Sequence, residues 1–195
     1  MNIAKLSLSI LLSSSILIAA TPIKKEKELA SVIKMGDRGS KMLLTTLGKN
    51  MKKRMKKGGV MKALNFCSNQ AYNLTEKVNK KLPVGVRVKR ISTKYRSPAN
   101  KPTSNEQAIL DTFKSMKELN IVLPPYLIEK VDSRTYKYYK PLVLNKKVCL
   151  KCHGKIKDIE LKREIASKYP LDHATGYKMG DLRGAVIVTI DKSAK

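Results

Sequence analysis

An α+β fold is predicted by a change of period along the chain. Up to about residue 80, apolar and small residues recur at steps of four and three, the mark of helices with one buried stripe. From Val86 the pattern turns to alternation of apolar and basic residues, as in a half-buried strand. Near the C-terminus Ala185-Val186-Ile187-Val188 forms the centre of a final strand. The order is helices first, then antiparallel strands with helical insertions and a sheet of about four or five strands.

The first helical stripe is Leu29, Ile33, Gly36, Ser40, Leu43 and Leu47. Gly36 and Ser40 lie on it, where small side chains would let another helix approach closely. Gly58-Gly59 then punctuates a basic run. The second stripe is Val60, Leu64, Cys67, Ala71, Leu74 and Val78, which turns Cys67 inward and ends before Pro83. Together the helices are expected over 24–80, with the sheet over 84–191. Within it, 86–93 reads as a strand and 97–104 as a loop with Pro98, Asn100 and Pro102. Ser104 looks like the N-cap of a helix through Leu119. Residues 126–131 and 135–144 read as a hairpin around Asp132-Ser133-Arg134. A short helix over 158–168, a loop over 170–181 and a final strand over 183–191 complete the chain.

The 195 residues suit one domain, 21–195, behind a leader at 1–20. Lys5 supplies a positive n-region, residues 6–20 carry only Ser as polar content, and the stretch closes on Ala19-Ala20 before Pro22 and a charged run. That is the pattern of a cleaved signal peptide, too short for a comfortable membrane span, and it predicts a periplasmic protein. No later segment is apolar enough to span a bilayer.

The formal net charge is +26, from 41 Lys and Arg against 15 Asp and Glu. Losing Lys5 with the leader leaves it extreme. The densest run is Lys52-Lys53-Arg54 with Lys56-Lys57. A basic chain invites nucleic acid as partner, but an exported protein does not ordinarily meet it and no nucleic-acid motif is present. An anionic lipid or polymer surface, or an acidic redox partner, fits better, and a merely solvated basic surface remains the plain alternative.

Cys149-Leu150-Lys151-Cys152-His153 is the strongest chemical signal. Two thiols separated by two residues can add to the two vinyl groups of one haem, and the adjacent His then sits under the iron. A thioredoxin-type redox pair would need a βαβ setting that is missing. A zinc site would need a second ligand pair, and only Cys67 and His173 remain. The expected cofactor is therefore one covalent haem c, held by Cys149 and Cys152, with His153 as proximal ligand. Candidates for the opposite axial position are His173, Cys67, and Met51, Met55, Met61 or Met179. Cys67 read as a small core residue is the competing explanation for its place on a helix seam. Arg90, Tyr95, Arg96 and Tyr177, with Lys94 and Arg183 beside them, are candidates for the haem pocket, since cations and phenols stabilise carboxylates such as the propionates. They read equally well as an ordinary basic strand edge. No carboxylate pair, Ser-His-Asp set or phosphate-binding Gly loop stands out, and the chain is not expected to be an enzyme.

Four stretches also resemble a known family. They are residues 63–71 around Cys67; residues 90–100, Arg-Ile-Ser-Thr-Lys-Tyr-Arg-Ser-Pro-Ala-Asn; residues 138–143 leading into 149–154; and residues 169–185, from Tyr169-Pro170 through Ala174-Thr175-Gly176-Tyr177 to Gly184-Ala185. This pattern is similar to single-haem c-type proteins with a PAS-like fold, often carried as a domain of unknown function and found alone or ahead of histidine kinases. The resemblance implies a PAS-like antiparallel sheet with helices around the haem, and Cys67 as the distal ligand opposite His153, with His173 as the alternative. It implies a periplasmic sensor of redox state or a diatomic gas, read out by a separate signalling partner. The rival expectation is a low-potential electron-transfer cytochrome with a redox partner protein.

Overall fold

The computed structural model describes residues 20–194. The leader assigned to 1–20 lies outside them but for Ala20, the first residue of α1. The elements are α1 (Ala20–Asn79), β1 (Val86–Ile91), a 3-10 turn (Pro98–Asn100), α2 (Ser104–Glu118), β2 (Leu127–Lys130), β3 (Thr135–Val143), α3 (Lys147–His153), α4 (Ile159–Lys168) and β4 (Leu182–Asp191). The class is α+β. The four strands pair antiparallel in the order β1-β4-β3-β2. No described helix is long and apolar enough to cross a membrane.

α1 is two arms joined at Gly58 and Gly59, whose φ/ψ leave the helical region. Gly59, at φ 66, holds the left-handed conformation that only glycine adopts without cost. The arms fold back on each other. The Arg54 guanidinium lies 6.0 Å from the Phe66 ring centre, where a continuous helix would separate the two residues by about 18 Å. Leu43, Leu47, Ala71 and Val78 share one core cluster across the hairpin.

Two details of the first stripe differ from the sequence reading. Leu29 is exposed, and the buried positions are Val32, Gly36, Gly39, Ser40, Leu43 and Leu47. The first turns of α1 are held by polar contacts instead: Glu28 accepts from Tyr136 Oη at 3.0 Å and pairs with Lys192 at 3.1 Å. The small residues also admit the sheet rather than another helix. A Cβ on Gly36 would lie 2.2 Å from the Tyr138 ring, and one on Gly39 would lie 3.1 Å from Val188.

Strand alternation sorts the core into two faces. Val86, Val88, Tyr136, Tyr138, Val186, Val188 and Ile190 pack under α1. Ile91, Tyr139, Ala185 and Ile187 pack under Leu110 and Phe113 of α2. The N-cap of α2 is Thr103, not Ser104. Glu106 donates its backbone N–H to Thr103 Oγ1, and its carboxylate accepts from the Thr103 N–H at 3.0 Å, a capping box that needs the Thr103–Glu106 spacing. The Glu106 carboxylate also takes Lys89 Nζ at 2.9 Å and Lys137 Nζ at 3.4 Å, tying α2 to β1 and β3. Burial raises its pKa, but these hydrogen bonds and charges outweigh that, and the net shift is downward.

Candidate functional site

The Cys149–His153 motif forms its own short helix, α3, between the end of β3 and the loop after Gly154. The helix stops because Gly154 turns to extended backbone, its N–H capping Leu150 O at 2.9 Å. Returning backbone then brackets the motif: Tyr177 N donates to His153 O at 2.9 Å and Gly176 N to Gly154 O at 3.1 Å. Cys149 packs against Leu144, Leu150, Ala174 and Tyr177.

The His153 ring is fixed on two sides. Its Nδ1 lies 2.8 Å from Ala174 O, which fixes the proton on Nδ1 and leaves Nε2 as a free lone pair. Tyr177 meets the ring edge-on, centroids 6.4 Å apart at 88°. Burial, with Arg183 and Arg96 nearby, pushes the His153 pKa down to about 3, so the imidazole is neutral. A neutral imidazole with one committed nitrogen is a ligand in waiting.

Arg96 is the hub of the loops that hold this turn. It is buried, and its guanidinium grips Asp172 with two contacts of 3.1 Å. The same group donates to Cys152 O at 2.7 Å and Ala174 O at 3.3 Å. Asp172 in turn accepts from Ala174 N at 2.8 Å. Arg96 is thus spent on protein groups rather than being free for a cofactor carboxylate. Asp172 is a site residue that the sequence reading did not single out. Its signal was scarcity, an acid beside His173 in a strongly cationic chain.

Cys67 comes to this motif from the second arm of α1. It is half-buried, and it lies near enough to Cys152 of α3, Arg90 of β1 and Tyr169 for a thiolate there to bear on their ionisation. Burial raises the Cys67 pKa, while Arg90 and Arg96 oppose the rise. Burial likewise raises Cys152. All three cysteines are free thiols. Tyr169, noted in the sequence only as the start of a family-like stretch, joins the site too; burial first, then Cys67, pushes its pKa up to about 12.

The other candidates fall around the same centre or away from it. Arg90 pairs with Val186 in the β1–β4 register, which turns it to the α1 face beside Cys67. It is half-buried and enters no ion pair among the described residues. Arg183 donates to Ser92 Oγ at 2.6 Å and lies over the Tyr177 ring. Lys94 Nζ lies 4.6 Å from the centre of the same ring and donates to Thr175 O. Tyr95 packs edge-on against His173, whose side chain is exposed. Met61 belongs to the cluster of Leu64, Leu161 and Ile165, Met51 and Met55 lie near the hairpin tip, and Met179 is exposed.

A neutral imidazole, two neighbouring thiols, a third thiol from a facing helix and an unpaired arginine can together hold a planar, anionic, metal-bearing cofactor. Fold and site therefore define a small α+β domain with a thiol–imidazole centre. The chain belongs to the Tll0287-like family, whose model matches residues 17–191. Among solved structures it is similar to the cyanobacterial heme-protein Tll0287, at 21% identity over 87% of this chain and 98% of that one, with a TM-score of 0.59. That likeness speaks to the fold. No curated protein matches.

Proposed function

We propose that this chain is an exported single-haem c-type protein of PAS-like architecture, serving as a redox or diatomic-gas sensor in the periplasm. The family's heme-protein relative supports haem as the cofactor. The observation that carries the reading is the neutral His153 on the cysteine-pair helix, with Nδ1 bound to Ala174 O and Nε2 free. Haem supplies an iron that exchanges one electron and can exchange a sixth ligand.

In this reading Cys149 and Cys152 each add S–H across one vinyl group, giving two thioethers with no change of redox state. His153 Nε2 is the proximal ligand. Cys67 is the distal ligand, its deprotonation favoured by Arg90 and Arg96 against the cost of burial. Arg90 also offers the unpaired cation that a propionate needs. A Cys67 thiolate would suit ferric iron better than ferrous, so of the residues that would hold the haem Cys67 is the one whose hold would depend on redox state. Because Cys67 sits on the second arm of α1, a change in that hold would reach the helix hairpin, and a separate signalling partner would read it.

The test is a ferric absorption and EPR spectrum with the midpoint potential, for wild type and Cys67→Ala. The reading expects a low-spin thiolate spectrum in wild type. It expects the variant to keep covalent haem, open the sixth position to added ligands and rise in potential. An unchanged spectrum and potential in Cys67→Ala makes the thiol a packing residue, and low-potential electron transfer becomes the better reading.

A further inference from the structure

The tip of the α1 hairpin carries the most one-sided charge in the chain. No Asp or Glu occurs between Asp37 and Glu76, while Lys49, Lys52, Lys53, Arg54, Lys56 and Lys57 crowd the end of the first arm. Cations over the sheet are compensated: Lys89 and Lys137 by Glu106, Lys140 by Asp37, Lys192 by Glu28. Between Arg38 and Lys62 no cation joins an ion pair among the described residues.

The arrangement is a face, not a scatter. Lys49, Lys52, Lys53 and Lys56 recur at steps of three, one and three, which places them on one side of the helix. Each is exposed, as is Lys57, and no residue from 48 to 62 is buried. The remaining bulk of the tip is turned elsewhere: Arg54, Met51 and Met55 are half-buried, with Arg54 lying over Phe66 of the returning arm. Like charges at this spacing repel one another, so the face is unfavourable on its own and is relieved by anions.

We propose that this lysine face docks the protein on an anionic lipid surface. The face is convex, has no aromatic residue and no apolar centre. A protein partner would need a packed, largely dry core to hold it. A fluid sheet of phosphate headgroups needs only a row of cations at one height, which the helix presents. The site belongs to the tip alone and is independent of the haem reading.

The experiment is co-sedimentation of the full chain with phosphatidylcholine vesicles, with and without about one-third phosphatidylglycerol. Binding to the neutral vesicles measures whatever the apolar N-terminal stretch contributes and is subtracted. Three proteins are compared with wild type. One carries Lys52→Glu, Lys53→Glu, Lys56→Glu and Lys57→Glu. A milder one carries Gln at the same four positions, in case charge reversal impairs folding. The third carries Lys80→Glu, Lys81→Glu, Lys101→Glu and Lys117→Glu, four exposed lysines away from the tip. It matches the first in net charge. The lipid-dependent partition coefficient is expected to fall about a hundredfold or more with the tip reversal, and about tenfold or more with Gln. It should stay within about threefold of wild type in the third protein, and wild-type binding should weaken steeply with salt. Equal losses in both charge-reversed proteins would assign binding to net charge and overturn the proposal. So would indifference to phosphatidylglycerol, or tip variants that bind like wild type. Salt-sensitive binding to polyglutamate without binding to the vesicles would point to an acidic protein partner and overturn it too.

Discussion

His153 Nδ1 and the carbonyl oxygen of Ala174 stand 2.8 Å apart, and this one contact sets both the tautomer and the aim of the imidazole. The carbonyl is itself held. Arg96 donates to it at 3.3 Å, and Asp172 anchors both Arg96 and the Ala174 N–H. The orientation of the proposed iron ligand therefore depends on an ion pair from loops outside its helix.

Asp172→Asn should show this dependence. Both partners of the pair are about nine-tenths buried, so leaving Arg96 without its carboxylate should cost about 3 kcal/mol of stability in urea unfolding. Thioether attachment should survive, since neither thiol is touched. The ferric EPR signal should broaden or split as the His153 ring loses its single orientation. An unaltered EPR signal in a destabilised variant would reduce the pair to a structural role.

Gly36 should tolerate no larger residue. An alanine Cβ would lie 2.2 Å from the Tyr138 ring, and that ring is pinned by its hydroxyl to Asp37 at 2.6 Å. Gly36→Ala should therefore force α1 off the sheet at a cost of about 2 kcal/mol or more, read as a lower urea midpoint. Gly48→Ala, where a Cβ meets nothing, should be neutral or slightly stabilising.

Glu106 should impose a defined acid dependence. Its folded pKa is below its ordinary value of 4.5. Its contribution is thus complete above that value and is lost as pH falls through the lower folded pKa. Glu106→Gln should lose about 1 to 2 kcal/mol at neutral pH. The gap to wild type should narrow as pH falls below the ordinary value and close as it passes through the lowered folded pKa, where the Glu106 carboxyl is protonated and, like Gln, uncharged. A constant gap from pH 7 to pH 3 would contradict the ion pairs to Lys89 and Lys137.

Much of this arrangement was legible in the residues. The period change at Val86 gave the strand, and the two glycines gave the break between helical arms. The CxxCH spacing singled out the residues that form α3, and the seam of the second arm turned Cys67 inward. What stayed hidden depended on contacts between distant segments. Nothing local says that Gly36 meets Tyr138, or that Asp172 reaches Arg96. Ser104 was read as the cap of α2, and Thr103 takes that place. The choice was made by Glu106, whose carboxylate reaches back to Thr103 while also meeting cations from two strands. The helical form of α3 was missed because its seven residues are too few to display a period.

Covalent haem at Cys149 and Cys152 can be weighed by intact-mass spectrometry of the protein as it is made in the cell. Denaturing acid-acetone treatment should leave the polypeptide heavier by the mass of one haem, and Cys149→Ala with Cys152→Ala should remove that increment while export continues. A wild-type protein that emerges from the same treatment at the bare polypeptide mass, having given up its haem or never carried one, would contradict the account.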